Sequence, residues 1–367
     1  MPSERTDEQY MKRALQLARR GIEKVSPNPM VGAVIVRAGK IIAEGYHHKF
    51  GEDHAEIDAI KRASGKIRGA TLYVNLEPCC HRGKTPPCVD ALIEQGIKRV
   101  VIGTLDPNPL VNGKGAQILQ DHGIKVTEGV LEQEARALNE VYLHNTQTGL
   151  PFVTVKYSQS LDGRIATSKG DSRWISSEAS RRFAHRLRAR HDAIMVGIGT
   201  VLADDPQLTV RLVKGRNPLR VVLDSRLRTP LNAQVLQGEA KTLIVTTDAH
   251  AKKKVHTIQK QGKVVLSVQR DTKGRVELKT LIQVLAEWGI SSILVEGGRE
   301  VITSLLKGGL INRMVIITAP LIVGKGIEGI GDLGITDLQG AIRPSFYTVR
   351  RVEEDVIFDL RFIEKKR

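Results

Sequence analysis

Residues 71–88 read TLYVNLEPCCHRGKTPPC. Thr71 to Leu76 is short and apolar, with a β-branched residue at each of Thr71 and Val74, and reads as a strand. Pro78-Cys79 stands at its end. Pro87-Cys88 then opens a helical pattern that runs to Gln95, with proline near the first turn, where its missing N–H costs nothing. The stretch is therefore strand, loop and helix, with a cysteine after a proline at each boundary. A strand passing into a helix in this way belongs to an α/β layer fold.

The flanking sequence repeats the alternation. Thr6 to Gln9 reads as a capping box, and Tyr10, Met11, Ala14, Leu17 and Ala18 keep helical spacing up to Gly21. Val31 to Val36 and Lys40 to Tyr46 form a hairpin candidate about Ala38-Gly39, and His54 to Ala63 is helical. Arg99 to Leu105 and Ile124 to Val130 read as strands, Gly115 to His122 as a short helix, and Leu131 to Asn145 as one long helix. Thr148-Gly149-Leu150-Pro151 is the expected linker, dividing the 367 residues into 1–147 and 148–367, in keeping with the usual domain size. Beyond it, strands are expected at Phe152–Tyr157, Ala193–Val196, Arg220–Leu223, Thr242–Val245, Val264–Val268, Ile293–Val295 and Met314–Thr318. Helices are expected at Ser177–Arg190, Leu278–Trp288 and Glu300–Lys307, and a β-rich tail at Tyr347–Ile363. The halves share no motif, so the chain reads as a fusion of two different α/β domains.

Composition narrows the classes. No apolar run approaches the roughly 20 residues of a membrane helix, and Met1 to Asp7 lacks the apolar segment of a signal peptide. The cytoplasm is the expected compartment. The formal charge of +16 suits nucleic acid or small phosphorylated substrates. Aromatic residues are only 4% of the chain, thin for a platform on which single-stranded bases stack. The three cysteines, Cys79, Cys80 and Cys88, are too few for a disulfide framework, and their clustering points to metal or redox chemistry.

His54-Ala55-Glu56, at a helix start, completes the pattern. One imidazole and two thiolates from His54, Cys79 and Cys88 make a three-ligand zinc site with a position open for water. A glutamate two residues from the histidine then serves as general acid/base and not as a ligand, the arrangement of zinc deaminases. An H-x-E triplet alone is common; the joint pattern is specific. A closed structural site with Cys80 as fourth ligand stays open on sequence alone, although adjacent residues rarely both face one metal.

Eight residues separate Cys79 from Cys88, whereas nucleic-acid and free-nucleoside deaminases usually carry two. That insertion, with Pro27-Asn28-Pro29-Met30-Val31-Gly32 upstream and Asp106-Pro107-Asn108-Pro109 downstream, resembles the deaminase half of the bifunctional riboflavin-biosynthesis deaminase/reductase family. The second half resembles its reductase in Ser160-Leu161-Asp162-Gly163-Arg164-Ile165-Ala166, Gly197-Ile198-Gly199-Thr200, Ala203-Asp204-Asp205-Pro206 and Val295-Glu296-Gly297-Gly298. The resemblance covers nearly the whole chain. It implies a cytidine-deaminase-like three-layer domain followed by a dihydrofolate-reductase-like α/β domain. The implied reactions are zinc-dependent removal of the 2-amino group from 2,5-diamino-6-(5-phosphoribosylamino)pyrimidin-4-one, then NADPH-dependent reduction of the ribosyl group to ribityl. A homo-oligomer, dimer or tetramer, is implied, with no nucleic-acid or membrane partner. Cys80 departs from the family, which often has a small hydroxyl residue there.

Residue by residue, the resemblance assigns Asn28, His47, Lys84, Asp106 and Asn108 to the pyrimidine substrate. Ser172, Arg188, Leu208, Arg211 and Glu296 go to the reductase substrate. Ser158, Trp174, Thr200, Asp204, Ser225 and the run Gly298, Arg299, Glu300, Val301, Ile302, Thr303 and Ser304 go to NADPH. Asparagine offers donor and acceptor to a pyrimidine edge, and Lys84, Arg188 and Arg211 suit phosphate. Lys156 and Asp162 are expected near the reductase site. The G-x-G-x-x-G fingerprint is absent; the glycine pair Gly297-Gly298, after a strand and before a helix, is the better phosphate candidate. Two other readings are a nucleic-acid base deaminase with a basic binding domain, and a zinc-stabilised RNA-binding module.

Overall fold

The structure, a computed structural model, describes residues 6–63, 65, 67–82, 86–247 and 252–362. The chain divides into two units, Met1–Gly149 and Leu150–Arg367. Among the described residues no helix is long and apolar enough to cross a membrane.

The first unit runs α1 (Asp7–Ala18), β1 (Gly32–Arg37), β2 (Lys40–Tyr46), α2 (Ala55–Arg62), β3 (Thr71–Leu76), α3 (Cys88–Glu94), β4 (Arg99–Thr104), α4 (Lys114–Asp121), β5 (Lys125–Thr127), α5 (Glu132–Leu138) and α6 (Glu140–Thr148). Its five-stranded sheet has the order β2-β1-β3-β4-β5. β1 is antiparallel to β2 and β3, while β3, β4 and β5 are parallel. Successive strand residues face opposite ways. Ala33, Ile35, Leu72, Val74, Val100 and Ile102 therefore meet α2, α3 and α4 on one face. Val34, Val36, Tyr73 and Val101 meet α1 and Ala135 of α5 on the other. Three layers result.

Close approach of helix to strand sets this packing. A Cβ on Gly45 of β2 would lie 2.4 Å from both the Ala55 carbonyl oxygen and the Ala59 nitrogen of α2. Only glycine lets the two backbones come so near. At the other end of the sheet, Asp7 in the first turn of α1 accepts from Arg99 (2.7 Å) and from the Tyr73 hydroxyl (2.7 Å). Buried Glu77, just past β3, accepts from the backbone N–H groups of Asp106, Gly113 and Ala116 at 3.2, 2.9 and 3.1 Å. It so ties the 105–116 loop and the start of α4 to the end of the strand.

The single helix expected over Leu131–Asn145 is two, α5 and α6, broken at Asn139. There the side chain accepts from Met30 N–H (2.8 Å) and donates to the Met30 carbonyl (2.9 Å). Asn75 treats the same segment alike, accepting from Gly32 N–H and donating to Met30 O. The helical ladder gives way to a tertiary clamp on the loop after Asn28.

The second unit runs β6 (Phe152–Gln159), β7 (Arg164–Thr167), α7 (Glu178–Arg190), β8 (Ala193–Gly197), α8 (Ile198–Asp204), β9 (Leu219–Leu223), β10 (Thr242–Thr246), α9 (Lys252–Lys260), β11 (Val264–Ser267), α10 (Leu278–Glu287), β12 (Ser292–Val295), α11 (Arg299–Lys307), β13 (Arg313–Thr318), β14 (Gly326–Glu328), β15 (Phe346–Val352) and β16 (Asp355–Arg361). The nine-stranded sheet has the order β11-β10-β9-β8-β12-β6-β13-β16-β15. It is parallel from β11 to β13, and β13, β16 and β15 are antiparallel in turn. Runs such as Ala193–Val196 are apolar throughout because both faces are covered: α10 and α11 pack on one, α7 and α9 on the other. β7 and β14 form a separate ribbon.

Two buried polar side chains lock this sheet. The Arg220 guanidinium donates to Thr242 Oγ1 (2.9 Å) and to the carbonyls of Gln237 (3.0 Å) and Ala240 (2.6 Å). His191 bridges the Leu187 carbonyl (2.7 Å) and Thr154 Oγ1 (3.0 Å), and burial pushes its pKa down to about 4, so the ring is neutral.

Gly45→Ala is expected to force α2 off β2 and to cost about 1–3 kcal/mol, the usual range for overpacking. Denaturation midpoints of the two proteins, read beside their bound-zinc content, check this. An unchanged midpoint with full zinc content would show that the contact is slack.

Candidate active sites

In the first unit three elements deliver the metal-ligating residues. His54 is the N-cap of α2, Cys79 follows β3, and Cys88 is the first residue of α3. Their ligand atoms all lie within 4.8 Å of one another. His54 Nδ1 is 3.3 Å from Cys88 Sγ and 3.5 Å from Cys79 Sγ. A tetrahedral zinc with bonds of 2.0–2.3 Å needs its ligands about 3.5 Å apart, so this donor set fits the metal. Cys80 does not join it: its thiol donates to the Leu110 carbonyl at 3.4 Å. The fourth-ligand alternative thus finds no support among the described residues, which bring three ligands together here.

The electrostatics suit a metal centre. Hydrogen bonds from Cys88 and His54 pull the Cys79 thiol down to about 4. Cys88 is pushed up by its bond to Cys79 and by burial. The bond to Cys79 raises His54 to about 9. Glu56, in the first turn of α2, is only 3% exposed, and burial pushes its carboxyl up to about 7 against the pull of His54.

Around this cluster the pyrimidine-binding candidates fall into two groups. Asn28 Nδ2 lies 3.1 Å from His47 Nε2, and His47 Nδ1 donates to the Asp53 carbonyl (2.9 Å), which fixes the ring's tautomer. The His47 and His54 rings meet edge to face at 5.7 Å. On the other loop, buried Asp106 accepts from the Tyr142 hydroxyl at 3.0 Å and from Asn108 N–H at 2.9 Å, and burial raises its pKa. Asn108 Oδ1 accepts from Leu110 N–H, so part of its capacity shapes the turn. Lys84 lies outside the described residues. Tyr142, Asn75, Asn139 and Glu77 were not singled out by sequence. A polar residue inside the run Leu72–Leu76 is the signal that marks Asn75; Tyr142 has none.

In the second unit the parallel strands β8, β9 and β12 end at Gly197, Leu223 and Val295, and a cleft of about 940 Å³ opens over them. Ligands of open α/β sheets bind at such carboxyl ends. Thr200, Asp204, Ser225, Ser304 and Gly298–Val301 line it, as does Ser172. Gly298 is the N-cap of α11, and a Cβ there would sit 3.3 Å from Thr200 Oγ1. Other members of the expected set are placed differently. Ile302 is buried in the core. The Thr303 hydroxyl donates to Arg299 O and accepts from Gly331 N–H. Trp174 is 69% exposed, with the Arg181 guanidinium 4.2 Å over its ring, and Ser158 Oγ contacts Ser176 Oγ at 3.4 Å. Neither Trp174 nor Ser158 lines the cleft.

A buried charge cluster lies just past the carboxyl end of β12. Arg188 binds Glu296 through two parallel bonds of 2.8 and 2.7 Å and donates to the Thr209 carbonyl at 3.1 Å. Against the opposing effect of burial, this pairing holds the Glu296 carboxyl down to about 2. Burial lowers Lys156, which feels Glu296 and Arg188. Burial and the charges of Arg188 and Arg211 hold His185 to about 4, and its Nδ1 accepts from Arg211 N–H at 2.9 Å. Arg211 donates to Thr209 Oγ1 (2.9 Å) and has no carboxylate partner among the described residues. The Arg188 charge is compensated within the protein; the Arg211 charge is not. Leu208 points into the core beside Phe183 and Leu187. Asp162 accepts from Ser160 Oγ, Val323 N–H and Gly324 N–H and braces the turn after β6.

Comparison with known proteins agrees with this division. Residues 4–104 match the cytidine and deoxycytidylate deaminase zinc-binding region, and residues 151–358 match the RibD C-terminal domain. Riboflavin biosynthesis protein RibD of Aquifex aeolicus is 46% identical over 359 residues, covering 97% of this chain and 99% of the relative. RibD of Escherichia coli is 40% identical over 368 residues, covering 96% and 99%. The crystal structure of a diaminohydroxyphosphoribosylaminopyrimidine deaminase/5-amino-6-(5-phosphoribosylamino)uracil reductase from Thermotoga maritima shares 40% identity and a TM-score of 0.84, covering 97% of this chain and 98% of that one. With a zinc-binding deaminase region joined to a RibD C-terminal domain, and relatives matching over 97% of its length, this chain belongs to the RibD family of bifunctional riboflavin-biosynthesis proteins.

Proposed function

We propose that residues 1–147 hydrolyse the 2-amino group of 2,5-diamino-6-(5-phosphoribosylamino)pyrimidin-4-one, and that residues 148–367 reduce the ribosyl group of the product with NADPH, giving 5-amino-6-(5-phosphoribitylamino)uracil. The observation that carries the first step is the convergence of His54, Cys79 and Cys88 beside a buried glutamate.

His54, Cys79 and Cys88 would hold a zinc ion, whose Lewis acidity would make a water molecule acidic near neutral pH. Glu56 would carry the first proton of the attacking water to the ring nitrogen as the C2–O bond forms, and then the second proton to the amino group, so that the C2–N bond breaks and ammonia leaves. Asn28 keeps an amide N–H and a carbonyl oxygen for the pyrimidine edge. His47 holds Asn28 in place, and Tyr142 orients Asp106 on the opposite loop.

NADPH, when bound, would supply the hydride of the second step. Gly298 and the first turn of α11 offer free backbone N–H groups and a positive dipole end to its diphosphate. Arg211 is the cation left for the substrate phosphate, because Glu296 already engages Arg188 through both oxygens. Lys156, with its ammonium pushed down by burial, is the titratable donor of this cluster.

The protein is further proposed to act in the cytoplasm, where thiolate ligands stay reduced, and as a homo-oligomer. The edge strand β15 supports the latter: Phe346, Tyr347 and Val349 are exposed on it, and an open, apolar edge invites pairing with a second copy. Sedimentation equilibrium should report at least a dimer; a monomer at micromolar concentration would reject this.

Glu56→Gln should lower ammonia release by roughly 10²–10⁴-fold, the usual worth of a general acid/base, while zinc content stays at one per chain. Turnover retained at the native rate would refute the role of Glu56. Arg211→Ala should raise the KM of NADPH oxidation about 10–100-fold, the loss expected for a charge-assisted phosphate contact. Ammonia release, followed in the same cuvette as the 340-nm absorbance, is the control; an equal loss of both signals would argue against separate sites.

A further inference from the structure

Arg211 carries the uncompensated charge of the second site, yet it stands exposed on a loop. A guanidinium on a loop recognises phosphate only if its backbone is held. The chain reaches Arg211 through Leu208, whose φ of +55° lies in the left-handed region that favours glycine. A leucine stays there only where its surroundings over-determine it, and each of the next residues is fastened. The Leu208 side chain is buried beside Phe183 and Leu187 of α7. The Thr209 carbonyl accepts from Arg188 Nη1 at 3.1 Å, and Val210 N–H donates to Asn217 Oδ1 at 2.8 Å. Arg211 N–H donates to His185 Nδ1 at 2.9 Å, and Leu212 N–H approaches the same nitrogen at 3.4 Å.

His185 stands one turn before Arg188 on α7, so the two side chains share a face and grip the loop together. Their tasks differ. Arg188 can only donate, and it takes a carbonyl; His185 has to accept, and it takes an N–H. A ring that accepts through Nδ1 is neutral and carries its proton on Nε2. The setting enforces this state. Burial opposes charge on the ring, as do Arg188, Arg211 and Lys156, and the acid of the cluster, Glu296, is engaged by Arg188 through both oxygens. Among the described residues the His185 ring forms no other hydrogen bond, so its bonding within the protein is given wholly to this loop. Arg211 Nη1 donates to Thr209 Oγ1 at 2.9 Å, which makes side chain and loop one body.

We propose that His185 is a positioning residue of the reductase site. By accepting from Arg211 N–H it aims the Arg211 guanidinium at the substrate phosphate, and so sets the preference for a phosphorylated substrate. The inference rests on the reading of Arg211 given above. An apolar side chain of similar volume would fill the same space but leave the Arg211 N–H without this acceptor. The loop could then shift, and a bidentate contact with phosphate is lost when its geometry is lost.

The test follows NADPH oxidation by the full-length, zinc-loaded protein, with the deaminated phosphorylated substrate and with its dephosphorylated counterpart. The native protein should have the lower KM for the phosphorylated form. His185→Leu should raise that KM about tenfold, equivalent to about 1.4 kcal/mol. Its kcat, its KM for NADPH and its turnover of the dephosphorylated compound should stay within about twofold of native, which also shows that the variant is folded. His185→Asn, whose Oδ1 lies as many bonds from the backbone as Nδ1, should restore the native KM. A histidine that merely supports the helix predicts a different pattern, in which both substrates lose alike or asparagine does no better than leucine. Either result overturns the assignment, as does a native KM in His185→Leu. If His185→Leu does not fold, His185→Gln, whose amide oxygen lies one bond farther out, is compared with His185→Asn, and equal KM values overturn it. A native protein that reduces both substrates with one KM removes the phosphate reading of Arg211 and this inference together.

Discussion

The metal-ligating cluster of the first unit depends on how near a helix can come to a strand. Gly45 has no side chain, so α2 rests directly on the backbone of β2. That contact sets the depth at which His54 and Glu56 stand relative to Cys79 at the end of β3. A ligand set tolerates errors of only a few tenths of an ångström. The arrangement is braced from below by Glu77, which fixes the 105–116 loop, and from the side by Asn75 and Asn139, which hold the segment after Asn28. The polar residues of this half serve geometry: their hydrogen bonds hold irregular loops at the edge of a regular sheet.

The second unit solves a different problem. Its candidate substrate and cofactor both carry phosphate, and the protein must present positive charge without collapsing it onto its own acids. Arg188 and Glu296 form a buried, bidentate pair that is electrically closed. Such a pair costs desolvation and confers little net stability. It does, however, give the site a fixed polar floor, beside which Arg211 keeps an uncompensated charge. A second group of cations lines the cleft. There Asp271 and Glu277 are consumed by their own turns, and Arg226, Arg228 and Lys273 are left facing the opening. A chain of formal charge +16 thus keeps part of its excess in a cleft, unpaired among the described residues.

Much of this was legible residue by residue. The strand–loop–helix reading of residues 71–88 held, with β3 at Thr71–Leu76 and α3 opening at Cys88. The alternation of strands and helices announced layered α/β units, and the hairpin about Ala38-Gly39 was marked by its turn. Harder to read were the places where a side chain bonds across the fold. Nothing local distinguishes Asn139 from a helical asparagine, yet its bonds to Met30, 109 residues away, break the helix there. Arg188 looked like a free phosphate ligand on a basic helix, because Glu296 is 108 residues distant. Ile302 and Thr303 belong to the same short run as Gly298, but the turn of α11 rotates one into the core and the other onto Gly331.

The division follows from the range of the forces involved. Sequence by itself determined what depends on neighbours along the chain: strand and helix periodicity, the turn residues, and the types and spacing of the metal-ligating residues. Tertiary structure decided which charges are neutralised, which polar groups are consumed as braces, and that Cys80 turns away to Leu110 while Cys79 and Cys88 converge. Hydrogen bonds and ion pairs act over a few ångströms of space and are indifferent to separation along the chain. Only the packed fold brings their partners within reach.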